Sequence, residues 1–194
     1  GDMKNVAGEI VFTTGMTGYQ ETLTDPSFCG QIVTMTFPLI GNYGINLDDN
    51  EAENTHLKAF VVREKCDAPS NFRNEMNLDD FLKDEGVVGL EGIDTRALTR
   101  IIRDYGCMNA VIMQGEPSED EVKALMNTLD NSNVIMETTT AKTYTINDGG
   151  KPHVAFIDMG AKGGILRDIE KRGCKITVLP ANVSADEIEK LGAD

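Results

Sequence analysis

Four cysteines and two histidines are the side chains of this 194-residue chain best suited to nucleophilic or metal chemistry. A thiolate attacks a carbonyl carbon when a histidine manages its proton, and sulfur with imidazole holds zinc when the ligands recur at short spacing. Neither pattern is present. Cys29, Cys66, Cys107 and Cys174 lie far apart with no C-x-x-C pair, and only His56 and His153 are there to join them. No metal site is expected, and His56 reads as a surface residue rather than a ligand. An even cysteine count is compatible with disulfides, but a chain this long needs no staples and nothing marks it as secreted, so free thiols are expected.

Anion binding is the next chemistry to weigh. Gly160, Gly163 and Gly164 separate an apolar run from a helical segment, but G-A-K-G-G is neither G-x-G-x-x-G nor a Walker loop with Lys before Ser or Thr. The turn reads mainly as structural, with an anion at the helix N-terminus as the alternative. Arg96, Arg100 and Arg103 recur at helical spacing and read first as a solvated basic stripe with carboxylate partners. Ser27, in Asp25-Pro26-Ser27, offers a hydroxyl that donates and accepts. After Asp-Pro, its plain reading is a turn serine satisfying local backbone.

These groups must be held by a folded scaffold, and the composition supplies one. At 40% hydrophobic and 26% charged residues the chain is of ordinary globular type. No apolar run approaches the roughly 20 residues that cross a bilayer, and no signal-peptide pattern opens the sequence, so no membrane partner and a cytoplasmic location are expected. A net charge of −14 repels phosphodiester backbones, so nucleic acid is not an expected partner.

From Gly8 to Phe37, Thr, Val, Ile and Phe alternate with Gly15, Gly18, Asp25, Pro26 and Gly30, which reads as short strands joined by tight turns. Ile10–Phe12, Ile32–Phe37 and Leu57–Val62 are expected strands, and 38–50 a loop. Gly15, Gly18, Gly41 and Gly44 are expected at turns that need positive φ. Asp94 caps a helix from about Thr95 to Asp104 whose apolar face is Leu98, Ile101, Ile102 and Tyr105, with Gly106 as a left-handed cap. A short buried strand is expected over 109–113, and Ser118 with Glu121 forms a capping box ahead of another helix. Residues 131–151, rich in Thr, Asn and Gly, read as a linker, placing a domain boundary near Gly150 between residues 1–150 and 151–194. Beyond it, strand 153–158, a helix bearing Ile165, Leu166 and Ile169, Gly173 as its stop, and strand 175–179 make a βαβ unit, with Ser184 starting one more helix. Two strands cannot bury both faces of a parallel sheet, so the second domain is expected to continue past Asp194.

Longer motifs run through this frame. GEIVFTTGMTGYQETLTDPS from Gly8 to Ser27, GQIVTMTFP from Gly30 to Pro38 and GNYG from Gly41 to Gly44 are followed by PSNFR at 69–73 and GIDTRALTR at 92–100. DMGAK at 158–162 and RGC at 172–174 extend the series into the second domain. Together they resemble the small, glutamine-hydrolysing subunit family of carbamoyl phosphate synthetase, over essentially the whole chain. The resemblance implies an α/β protein: a mixed β/α amino-terminal docking domain followed by the first βαβ unit of a flavodoxin-like class I glutamine amidotransferase domain.

The same resemblance implies an enzyme, a ligase with glutamine amidotransferase activity. The family hydrolyses L-glutamine and passes ammonia to a large subunit that uses ATP and bicarbonate to make carbamoyl phosphate for pyrimidine and arginine biosynthesis. A heterodimer with that large subunit is therefore implied, with no cofactor in this subunit and ATP and magnesium on the large one. The family's nucleophile sits in a G-x-C-x-G turn, a setting none of the four cysteines has, so each is expected to be a buried or half-buried filler. No catalytic residue is expected within these residues, which are expected to be inactive alone, the cysteine, histidine and glutamate lying past Asp194. Ser27 matches the position from which the amino-terminal domain reaches the bound glutamine. The arginine stripe gains a second reading, contact with the large subunit. The alternative function is a docking or regulatory module of a synthetase whose amidotransferase site is lost.

Overall fold

Ile32, Val33, Thr34 and Met35 are all buried, as are Ala59, Phe60, Val61 and Val62, and strands bury every residue only when both faces of their sheet are covered. The computed structural model describes residues 1–194, in two units, Gly1–Asn131 and Ser132–Asp194. In the first unit β1 (Val6–Thr13) leads through helix α1 (Tyr19–Leu23) and a 3₁₀ turn (Pro26–Phe28) to β2 (Gln31–Met35). The short strands β3 (Leu39–Ile40), β4 (Ala59–Val61) and β5 (Glu64–Lys65) follow, then α2 (Leu78–Asp84) and β6 (Val88–Leu90). Helix α3 (Thr95–Tyr105), β7 (Met108–Ile112) and α4 (Glu119–Met126) complete it.

The main sheet has five strands in the order β6-β4-β2-β1-β7. Its first four run parallel, with Ile10 opposite Ile32, Ile32 opposite Ala59 and Ala59 opposite Val88, while β7 closes the edge antiparallel to β1. Successive residues point to opposite faces. Val33, Met35, Phe60 and Val62 therefore pack with Tyr19, Leu23, Leu78 and Phe81 on one side. Ile32, Ala59 and Val61 pack with Val6, Ile10 and Ile102 on the other. Gly8 is required by the close approach of β1 to the chain before β2, since a Cβ there would lie 2.7 Å from the Gly30 carbonyl oxygen.

The second unit holds α5 (Val134–Thr138), β8 (Tyr144–Ile146), β9 (His153–Asp158), α6 (Gly163–Lys171), β10 (Lys175–Pro180) and α7 (Ala185–Lys190). The expected βαβ unit is there: β10 pairs parallel with β9. Ile176 and Val178 are fully buried against Leu166 and Ile169 of α6.

Several expectations are corrected. The stretch 131–151 is no linker, because β8 pairs antiparallel with β10, Ile146 opposite Ile176, and the units divide after Asn131 rather than at Gly150. The segment between β1 and β2 is a helical crossover between parallel strands, not a tight turn. The loop 38–50 contains β3 and a 3₁₀ turn, Leu47–Asp49. Gly18, Gly41 and Gly44 do have positive φ, and Gly15 is not among them. On α3 the buried side is Thr95, Leu98 and Ile102, while Ile101 and Tyr105 are exposed, because the apolar positions span a wider arc than the sheet covers. Gly106 ends α3 at φ 82° and ψ −144°, a glycine conformation outside the left-handed helical cap expected there. No helix is long and apolar enough to cross a membrane.

Candidate functional site

The segment joining α1 to β2 is built as a rigid platform. Gly18 enters α1 at φ 80°, and the helix start is capped from outside, by the Tyr43 hydroxyl. It accepts from Gly18 N at 2.8 Å and Tyr19 N at 3.2 Å, satisfying two amides a helix leaves unpaired. The Tyr19 and Tyr43 rings stack at 4.2 Å, and the Tyr19 hydroxyl donates to the Gly44 carbonyl at 2.5 Å. Burial pushes the Tyr19 phenol well above its ordinary range, which keeps that donor protonated. From the same helix Gln20 accepts from Asn46 N at 2.9 Å, and its amide donates to the Asn46 carbonyl and to Asn50 Oδ1. Thr24 donates to the Gln20 carbonyl at 3.0 Å and accepts from Glu51 N at 2.9 Å. Two turns of loop are thereby pinned to one short helix.

Asp25 follows, 6% exposed, and caps the 3₁₀ turn that Pro26 opens. One carboxylate oxygen, Oδ1, accepts from Ser27 N at 2.9 Å and from Ser27 Oγ at 2.7 Å. Ser27 itself is exposed. Its proton is committed to a buried carboxylate, so Oγ faces outward with lone pairs only, an acceptor for an N–H group. Ser27 is thus a turn serine, as its plain reading has it, and the turn leaves the residue exposed to solvent ahead of the amino end of β2. Asp25 is the partner that sequence reasoning misses. Its signal is the Asp-Pro-Ser order itself, because aspartate bonds the backbone two residues on.

The cysteines do not converge on this site. All four are free thiols. Cys29, next to the turn, is buried, as is Cys174 at the start of β10, whereas Cys107 is exposed, not the filler expected. The Glu9 carboxylate beside Cys107 pushes its thiol above the ordinary value, which disfavours the thiolate a nucleophile requires. His56 is half-buried at the edge of the platform, its carbonyl accepting from Gly30 N at 3.0 Å. His153 Nε2 lies 2.8 Å from Thr177 Oγ1. No three His, Cys, Asp or Glu side chains group as metal ligands would.

The Gly160 turn is filled from within. Asp158 Oδ1 accepts from Gly160 N at 3.0 Å and Ala161 N at 2.8 Å, while Oδ2 accepts from Thr140 N at 2.6 Å. The amides that an external anion would need at this bend already hold a carboxylate. The arginine stripe of α3 lies elsewhere, beside the carboxyl ends of the parallel strands, where Arg63 joins it.

Comparison with known proteins adds the following. A family model described as carbamoyl-phosphate synthase small chain, CPSase domain, matches residues 1–112. A carbamoyl phosphate synthase small chain from Clostridium perfringens is 48% identical over 194 residues, covering 100% of this chain and 55% of that protein. Proteins of the same name from Bacillus caldolyticus and Oceanobacillus iheyensis are 48% and 49% identical, each over 97% of this chain and 52% and 51% of their own lengths. The chain thus spans about half the length of the curated relatives it matches.

Proposed function

The chain belongs to the carbamoyl-phosphate synthase small-chain family, and from that premise we propose that its parent protein hydrolyses glutamine to glutamate and ammonia for a large, ATP-using partner chain. The large chain would combine the ammonia with bicarbonate into carbamoyl phosphate, a precursor for pyrimidine and arginine synthesis. ATP and magnesium would act there, and this chain would need no cofactor. A cytoplasmic heterodimer is the corresponding assembly.

Within that reaction the residues described here bind and position rather than attack. Hydrolysis of an amide by a thiolate needs a cysteine activated by a histidine. None of the four thiols has that neighbourhood: Cys29 and Cys174 are buried, Cys66 is half-buried, and Cys107 is disfavoured by Glu9. The nucleophile, its histidine and its carboxylate are therefore assigned to the other part of the parent. The observation that carries a binding role is the exposed Ser27 held by buried Asp25. A glutamine side chain ends in a primary amide, whose N–H groups need acceptors, and an acceptor fixed in advance binds with less ordering cost than a free hydroxyl.

The direct test is ammonia release. Full-length protein paired with its large chain is expected to form one ammonia per glutamine consumed and to support carbamoyl phosphate synthesis from glutamine. Synthesis from free ammonia but never from glutamine would leave only a docking role and contradict this reading.

A further inference from the structure

The Asp25 side chain does more for Ser27 than close its turn. The backbone is held from both sides by other groups. Ahead of it, Thr24 donates to the Gln20 carbonyl at 3.0 Å and accepts from Glu51 N at 2.9 Å. Behind it, Pro26 fixes its own φ, Phe28 N donates to the Asp25 carbonyl and Cys29 N to the Pro26 carbonyl, each at 3.1 Å, and the Phe28 ring packs against the core. Asp25 Oδ1 adds the bond from Ser27 N at 2.9 Å, the ordinary habit of an aspartate in a turn. Its second bond, from Ser27 Oγ at 2.7 Å, holds no backbone. It acts only on the hydroxyl proton.

A hydroxyl has one proton and two lone pairs. With the proton given to a buried carboxylate, lone pairs are what the exposed Ser27 has left for a ligand. An amide N–H can use them. A carboxylate oxygen cannot, because it brings only lone pairs of its own. Turning the proton outward to meet a carboxylate would take a bond away from a buried acceptor, and a buried group left short of its partner is costly.

Glutamine and glutamate have nearly the same shape and differ at the side-chain end, an amide in one and a carboxylate in the other. Resting on the reading of Ser27 as a contact to the glutamine amide, we propose that Asp25 is a positioning residue that sets the polarity of that contact. By holding Ser27 Oγ as an acceptor, it admits the substrate's amide and turns away the glutamate that hydrolysis leaves behind. Selectivity of this kind comes from the mispaired group in the wrong ligand as much as from the bond in the right one.

The test is the ratio of the Ki for glutamate to the KM for glutamine, measured by ammonia release from the full-length protein paired with its large chain. Asp25→Ala frees the hydroxyl to donate, so KM for glutamine should rise, Ki for glutamate should fall, and the ratio should drop at least about tenfold. Asp25→Asn, which keeps an acceptor at Oδ1, should hold the ratio within about threefold of wild type. A purely structural role would weaken both ligands together and leave the Asp25→Ala ratio where it was, and that result overturns the proposal. So does a wild-type ratio below about three, a measurement that stands even if Asp25→Ala does not fold. Ser27→Ala separates the proposal from the reading beneath it. An unchanged KM in that variant removes Ser27 from glutamine and overturns both, whereas a raised KM beside an Asp25→Ala ratio equal to wild type overturns the role of Asp25 alone.

Discussion

Phe60→Ala is expected to lower the stability of the full-length protein by about 3–5 kcal/mol, whereas Phe72→Ala should change it by less than about 0.5 kcal/mol. The two residues are chemically identical and differ only in place. Phe60 is 1% exposed on β4, between β2 and β6, and its ring packs with Tyr19, Leu23 and Phe81. Removing it deletes the transfer free energy of the ring and leaves a cavity that strands on both sides prevent from collapsing. Phe72 is 97% exposed and has nothing to lose on truncation. Native stability is typically about 5–15 kcal/mol, so Phe60→Ala removes a large share of it. Urea unfolding followed by far-ultraviolet circular dichroism measures both variants. A loss below about 1 kcal/mol for Phe60→Ala would contradict the core described here.

The second large effect is expected at Asp158→Ala, about 3 kcal/mol or more in the unit that contains it. Its buried carboxylate receives Gly160 N, Ala161 N and Thr140 N, and bonds to a charged acceptor contribute roughly 1.5–3 kcal/mol each without being additive. Alanine leaves three amides unpaired at a bend too tight to re-form them. The neighbouring tie then weakens as well, because Thr139 Oγ1 donates to the Asp158 carbonyl at 2.6 Å and accepts from Ala181 N at 2.9 Å. Amide hydrogen exchange should therefore speed up together at Thr140, Gly160 and Ala161, with the first unit unaffected. Unaltered protection at those amides would show that the carboxylate is dispensable.

The local part of the fold is legible in the sequence. Asp94, Ser118 and Ser184 start helices because their oxygens accept from amides three residues on, a bond contained in one short stretch of chain. Asn77 starts α2 by the same rule, accepting from Asp80 N at 2.9 Å, and Leu78, Phe81 and Leu82 mark its face, so this helix carries the same kind of signal. β8 carries none. Tyr144–Ile146 becomes a strand only through pairing with β10, some thirty residues on, and the threonines beside it look like a linker until Asp158 and Ala181 engage them. Ile101 and Tyr105 mislead for a related reason: periodicity marks apolar residues, but only the neighbouring sheet decides how wide an arc is covered.

The candidate site divides in the same way. Ser27 stands out in its motif, and the Asx-turn habit of Asp-Pro-Ser accounts for the contact to Asp25. What no spacing reveals is that Asp25 is buried while Ser27 is not, since that depends on Tyr43 and Asn46 holding α1 from a later loop. Arg63 joins Arg96 and Arg100 only because β4 and α3 meet at one sheet edge.

The measurement closest to the centre of this account is the KM for glutamine of full-length Ser27→Ala paired with its large chain, read beside synthesis from free ammonia. Loss of one oriented acceptor, worth about 0.7–1.5 kcal/mol, should raise KM for glutamine roughly three- to twelvefold and leave the ammonia-supported rate unchanged. A KM within about twofold of wild type, or an ammonia-supported rate that falls in parallel, would contradict the assignment of Ser27 to glutamine.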